Sequence, residues 1–304
     1  MKRFLQIFVV MLLGSLPVWS LAMTSTNYRI DWDSLNEGGQ DVSTSTNYNL
    51  RDTLGEFGSG TGTSANYQLA AGYRVGEQPD TLNLVIRSQE PSTVSAYSAF
   101  NTAGNSVTVS TVNVVAGDYI AVVENVGFGE LVAVGKVASI LGNVISVDRF
   151  DGATSTMSAV PAGGNDFVYR VNGSAAAYGT LSVGAQNVSV TLSSVNTSIP
   201  TGYSVYLQAN QRLQNGSAQA IADVSDGQVS PDAEEYGAST TGTTALLTAA
   251  DFAIPTSTTA IQSRAARSVA PADRIAMVYK LSVTSSTNVG SYTQAVYYTL
   301  TANY

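Results

Sequence analysis

Hydrophobic and polar positions alternate with period two over much of this chain, most clearly over residues 290–304. There Tyr292, Val296, Tyr298, Leu300 and Ala302 fall on one face, broken only by Gln294. Thr293, Ala295, Tyr297, Thr299, Thr301 and Asn303 fall on the other. Side chains of a strand point alternately to its two sides, so this spacing predicts a half-buried strand. Ile275, Met277, Tyr279, Leu281 and Val283 alternate in the same way with Ala276, Val278, Lys280 and Ser282. That strand is expected to feed the closing one through residues 284–291, as its antiparallel neighbour.

The same pattern recurs upstream. Val188, Val190 and Leu192 alternate with Asn187, Ser189 and Thr191, and Tyr203, Val205 and Leu207 with Ser204, Tyr206 and Gln208. Residues 216–262 are rich in Gly, Thr and Asp and read as loops with short strands. An antiparallel two-sheet sandwich over 172–304 accounts for these elements. Residues 77–171 begin with Leu82-Asn83-Leu84-Val85-Ile86, a first strand, and continue with strands over 106–115, 119–123, 131–140 and 144–150. Turns are marked by Ala116-Gly117-Asp118, by 125–129 and by Leu141-Gly142-Asn143. Closed by Phe167-Val168-Tyr169-Arg170-Val171, this region is expected to form a small β-barrel or sandwich.

Residues 23–76 repeat themselves. Ser25-Thr26-Asn27-Tyr28-Arg29-Ile30 returns as Ser45-Thr46-Asn47-Tyr48-Asn49-Leu50 and as Ser64-Ala65-Asn66-Tyr67-Gln68-Leu69, at spacings of 20 and 19 residues. Each unit is followed by a glycine-bearing turn and offers one aromatic–aliphatic pair to a neighbour. Three copies suggest short strands set side by side, each too small to stand alone. A structural cap or stalk is one reading. A sugar-binding platform of Tyr28, Trp32, Tyr48 and Tyr67 is the other.

Residues 1–22 start with Lys2 and Arg3, continue with an apolar run over 4–13, and end Ser20-Leu21-Ala22. A basic start, a short apolar stretch and small residues before the cut describe a secretory signal peptide. No later stretch is a transmembrane candidate, so the mature protein is expected to be secreted, extracellular or associated with the cell surface.

Composition narrows the chemistry. Without its leader the chain keeps 12 basic against 22 acidic residues, and only Lys136 and Lys280 remain as lysines. Nucleic acid is then an improbable partner, since phosphate binding needs clustered cations. Cys and His are both absent. No disulfide framework stabilises an exported chain of this kind, and every Ser–His or Cys–His arrangement is excluded.

Two segments resemble known groups. The Ser-x-Asn-Tyr repeat ending in Leu69-Ala70-Ala71-Gly72-Tyr73 resembles exported β-rich surface proteins of uncultured small-genome bacteria. Gly202-Tyr203-Ser204-Val205, Asp223-Val224-Ser225-Asp226-Gly227 and Glu234-Glu235-Tyr236-Gly237 belong to the same likeness. More distantly, residues 172–304 are similar to the WxL cell-wall-binding domain, which pairs a Trp-x-Leu with a closing Tyr-x-x-x-(Val/Leu)-Thr-Trp-x-Leu. The corresponding slots are Tyr203-Ser204-Val205 and the run from Tyr292 to Leu300, with Tyr at both Trp positions. The likeness implies an envelope location and a sandwich, and no catalytic residue.

The densest acidic cluster is Asp223, Asp226, Asp232, Glu234 and Glu235. Calcium takes six to eight oxygens, so this loop is the candidate calcium site, against a solvated turn. Asp148 and Asp151 before Gly152 read as a smaller solvated turn, and Lys280 as an outward-facing strand residue. No residue pattern points to an enzyme. The expectation is an all-β, exported cell-surface or envelope protein with a structural or adhesive role. Its partners would be cell-wall glycan, other surface proteins or further copies of itself. The alternative is a carbohydrate- or peptidoglycan-binding module, calcium-assisted or not.

Overall fold

A computed structural model describes residues 80–303 together with six short strands within residues 23–71. The chain divides into two units, Met1–Pro79 and Asp80–Tyr304.

In the first unit the repeat makes hairpins. β1 (Met23–Thr24) pairs with β2 (Arg29–Ile30), β3 (Ser43–Thr44) with β4 (Asn49–Leu50), and β5 (Gly60–Thr63) with β6 (Gln68–Ala71), all antiparallel. The innermost pairs are Thr24↔Arg29, Thr44↔Asn49 and Thr63↔Gln68. In each copy the paired Thr stands directly before the Ser-x-Asn-Tyr of the sequence. Among the described residues, strands pair only within their own repeat. Tyr28, Trp32, Tyr48 and Tyr67, the expected sugar platform, lie outside the described residues.

The second unit is built from fifteen strands: β7 (Leu82–Gln89), β8 (Ser95–Asn101), β9 (Ser106–Val109), β10 (Tyr119–Glu124), β11 (Leu131–Leu141), β12 (Val144–Gly152), β13 (Phe167–Gly173), β14 (Gln186–Thr197), β15 (Tyr203–Ala209), β16 (Gln214–Asn215), β17 (Glu235–Thr241), β18 (Thr259–Arg264), β19 (Ser268–Ser282), β20 (Tyr292–Thr293) and β21 (Val296–Ala302). Six of them close a barrel in the order β10-β11-β12-β9-β8-β13, with β13 returning to β10. Ile120, Val122, Val137, Ile145, Val147 and Val168 fill it, and the rings of Phe100 and Phe150 meet at 4.8 Å. Closure removes free edges, which is how a small all-β unit avoids pairing with its neighbours.

A four-stranded sheet, β7-β14-β19-β17, faces a three-stranded sheet, β18-β15-β21, to form a sandwich. Its core includes Tyr203, Val205, Leu207, Ile261, Ile275, Met277, Tyr279 and Leu281. The closing strand follows its sequence pattern: positions 296, 298, 300 and 302 are half-buried and 297, 299 and 301 exposed. The two slots compared with WxL domains are adjacent strands, with Val205 opposite Leu300.

Three expectations are corrected. β7, expected to open the middle domain, runs beside β14 through seven paired residues, from Thr191↔Ser88 to Thr197↔Leu82. The barrel closes without it because β13 hydrogen-bonds to β10 directly. The strand over 275–283 is also no neighbour of the closing strand. β19 already has β14 on one side and β17 on the other, so the chain crosses to the opposite sheet and β21 pairs with β15. Across the sandwich the hydroxyls of Tyr279 and Tyr298 meet at 2.7 Å. The strand expected over 106–115 ends at Val109.

Barrel and sandwich share a further core. Ala121, Val123, Val132, Val134, Tyr169 and Val171 on the outside of the barrel pack against Val190, Leu192, Ala276 and Val278 of the four-stranded sheet. β10 thus has both faces covered, which explains its unbroken run Ile120-Ala121-Val122-Val123. Lys280 lies on this covered side: its Nζ is 2.9 Å from Asp251 Oδ1 and 3.4 Å from Glu130 Oε2, with 13% of the side chain exposed. Asp148 and Asp151 are on β12 and bind Arg274 of β19 at 2.8 and 3.0 Å, where Arg274 is 1% exposed. Neither the outward lysine nor the solvated turn holds, because the apolar exterior of the barrel draws both into the interface. Among the described residues no helix is long and apolar enough to cross a membrane.

Candidate functional site

The odd-numbered face of β14 points into the sandwich, yet it carries Ser189, Thr191 and Ser193 before Val195, all of them buried. Thr191 lies beside Ser88 of β7, their hydroxyls 3.1 Å apart. Ser189 lies opposite Tyr279, and its buried hydroxyl has no hydrogen-bond partner. Polar groups on an inward face leave that part of the core incompletely packed, and a cavity of about 490 Å³ opens there. It is lined by Ser88, Thr191, Tyr236 and Tyr279 of the larger sheet, by Gln294, Val296 and Tyr298 of the tail, and by the segment from Ser174 to Tyr178. A second cavity of about 620 Å³ shares Ala176, Tyr178, Leu213 and Tyr292 with it, and has Val183 and Val289 as exposed margins.

Four tyrosines set the chemistry. Tyr236 and Tyr279 stack, their ring centroids 6.5 Å apart and their planes 11° off parallel. Tyr236 donates its hydroxyl to Gln294 Oε1 at 3.0 Å, and Gln294 Nε2 donates to the Gln211 carbonyl at 2.6 Å. Tyr178 lines both cavities, and its buried hydroxyl is without a partner. Burial pushes the Tyr178 and Tyr279 phenols well above their ordinary value, with neighbouring phenols adding to the effect. Burial raises Tyr236 and Tyr298 as well. All four therefore stay neutral through the physiological range and act as hydroxyl donors and acceptors beside flat apolar rings. Among the described residues no charged side chain lines either cavity.

The period of the closing strand had a visible exception, and it belongs to this site. Gln294 interrupts an apolar face because its amide meets Tyr236 and Gln211. The hydroxyl row of β14 is the second signal, a run of small polar residues on a face that is buried.

The acidic cluster does not converge. Asp223 pairs with Arg212 at 2.7 Å, Asp226 accepts from the Gln228 N–H at 3.0 Å, and Glu235 accepts from the Ser230 N–H at 3.0 Å. Glu234 accepts the Thr287 hydroxyl, while Asp232 occupies a turn at φ 67°. Among the described residues no group of three or more acidic side chains comes within reach of one metal ion. Asp226 and Glu235 thus brace nearby turns, while Asp223 and Glu234 are held by side chains from other segments. Comparison with family models, with curated proteins and with solved structures returns no match to this chain.

Proposed function

We propose that this chain is an exported cell-surface or envelope protein with a structural or adhesive role, and that it is not an enzyme. The observation that carries the reading is the continuity of the second unit. A closed barrel, a shared sheet and a sandwich are joined through apolar packing and buried ion pairs into one body without disulfides. Such a body suits a structural role because it holds together without cross-links, and the leader-like residues 1–22 point outside the cell. The test is fractionation of the native cells with mass spectrometry of the N-terminus. The protein is expected in the wall or an assembled surface layer, beginning at Met23. Recovery from the cytoplasm with residues 1–22 attached sinks the proposal.

A second reading, a carbohydrate- or wall-binding module, is favoured by the uncharged tyrosine cavity. It does not rely on calcium, because among the described residues the carboxylates of the expected cluster do not converge on one point.

A further inference from the structure

We propose that the tyrosine cavity of the sandwich binds one neutral saccharide unit, with the Tyr178 hydroxyl as a direct hydrogen-bonding contact. This rests on the carbohydrate-binding reading and supplies its site, ligand class and contact residue. Three observations converge.

First, two buried hydroxyls close to the stacked tyrosines, Tyr178 and Ser189, have no partner within the protein. A buried hydroxyl left unpaired is costly, so an occupant that pairs with Tyr178 recovers part of that cost. Ser189, paired in register with Tyr279, is fully buried and lies off the lining, so Tyr178 is the unpaired hydroxyl that an occupant can reach.

Second, the lining is free of charge in a chain with 22 acidic residues. An anionic or cationic ligand would find no counter-charge there. Phenols are neutral at physiological pH and burial raises these further, so the site offers neutral donors and acceptors only.

Third, the lining combines tyrosine rings with small hydroxyl-bearing residues: Tyr178, Tyr236 and Tyr279 with Ser88 and Thr191. A sugar ring has the matching surface, with C–H groups on its faces and hydroxyls around its edge. The cavity of about 490 Å³ is within the range of small-ligand sites.

The test begins with the full-length protein on a glycan array. The array carries neutral oligomers of glucose, mannose and N-acetylglucosamine beside polygalacturonate and a sulfated glycan. Retained oligomers are then titrated by calorimetry into the wild type and into Tyr178→Phe. Retention on neutral glycans is expected, with an affinity about tenfold lower in Tyr178→Phe, the loss of one good hydrogen bond. The unliganded variant is expected to melt at the same or a higher temperature, since it loses only an unpaired hydroxyl. Competition by the free monosaccharide assigns the cavity to a soluble sugar or chain end, and its absence to a unit within a polymer; both support the proposal. Retention on anionic glycans alone, no retention, or an affinity unchanged in Tyr178→Phe overturns it. So does binding abolished only when Tyr28, Tyr48 and Tyr67 are replaced by Ala, which moves recognition to the repeats. A cytoplasmic location would remove the surface reading and leave this assay untouched.

Discussion

Asp151 bears two opposed influences. Burial raises its pKa, and that outweighs the hydrogen bonds and charges of Arg149 and Arg274, which lower it. A raised carboxyl keeps its proton in the folded chain at a pH where the unfolded chain has released it. Its contribution to stability is therefore complete below the ordinary value of 3.8 and is lost as pH climbs through the raised one. Asp151→Asn does not ionise and escapes that loss. The melting temperature of the variant minus that of wild type is expected to rise with pH across this window. A flat or falling difference in thermal melts would refute the assignment. Removing the partner acts differently: Arg274→Met leaves a nearly buried carboxylate with the more exposed Arg149 as its remaining cation and is expected to cost about 1–3 kcal/mol in urea unfolding at neutral pH. Gly202 gives a purely steric case. It enters β15 at φ 84°, and a Cβ there would lie 1.8 Å from the Arg264 carbonyl oxygen. Gly202→Ala is expected to lower stability by at least about 1–3 kcal/mol, because backbone must move to admit it. Denaturant midpoints measure this directly.

Among the elements, β21 is the one whose removal is most informative. Val296, Tyr298 and Leu300 pack on the sandwich core, and Tyr298 joins Tyr279 across it. Each such side chain contributes about 1.5–3 kcal/mol when fully buried, less here because the strand is half-exposed. A chain ending at Ser291 also bares the edge of β15, which has no other neighbour on that side. Its cooperative melt is expected to shift down by many degrees or vanish, and an unchanged melt would show that the tail is dispensable. The face of β21 was legible residue by residue because one side of it meets water and the other does not. β14 and β19 are covered on both sides, so period two no longer separates core from solvent. Hence Lys280 read as outward. Pairing was less legible than strand identity, since β7 finds β14 more than a hundred residues away, and no local signal records that distance. The tyrosine cavity left two marks in the sequence, Gln294 and the Ser189-x-Thr191-x-Ser193 row. The acidic cluster was conspicuous by composition, yet its members bind turns and side chains separately and do not converge.

At the scale of the molecule, the interface between barrel and sandwich decides how the second unit unfolds. The barrel closes through its own six strands, which by itself would allow independent melting. Against this, its outer surface carries Val123, Val132, Val134 and Val171, which a free barrel would expose to water. β13 also runs from the barrel into the large sheet, through Val171↔Gln89 and Gly173↔Ser88. A barrel released from the sandwich thus leaves an apolar patch and the buried Asp151–Arg274 pair without cover. The two parts are expected to melt together. Calorimetry of residues 80–304 is predicted to give one transition whose calorimetric and van't Hoff enthalpies agree. Val278→Ala, at the interface, is predicted to move that whole transition, with a cost of about 1–3 kcal/mol for the methyl groups lost from a tight contact. Two transitions, only one of them displaced by Val278→Ala, would mean that the apolar contact is too weak to couple the layers. The barrel segment 90–173 expressed alone would then be soluble and folded, whereas coupling through this surface predicts that it aggregates.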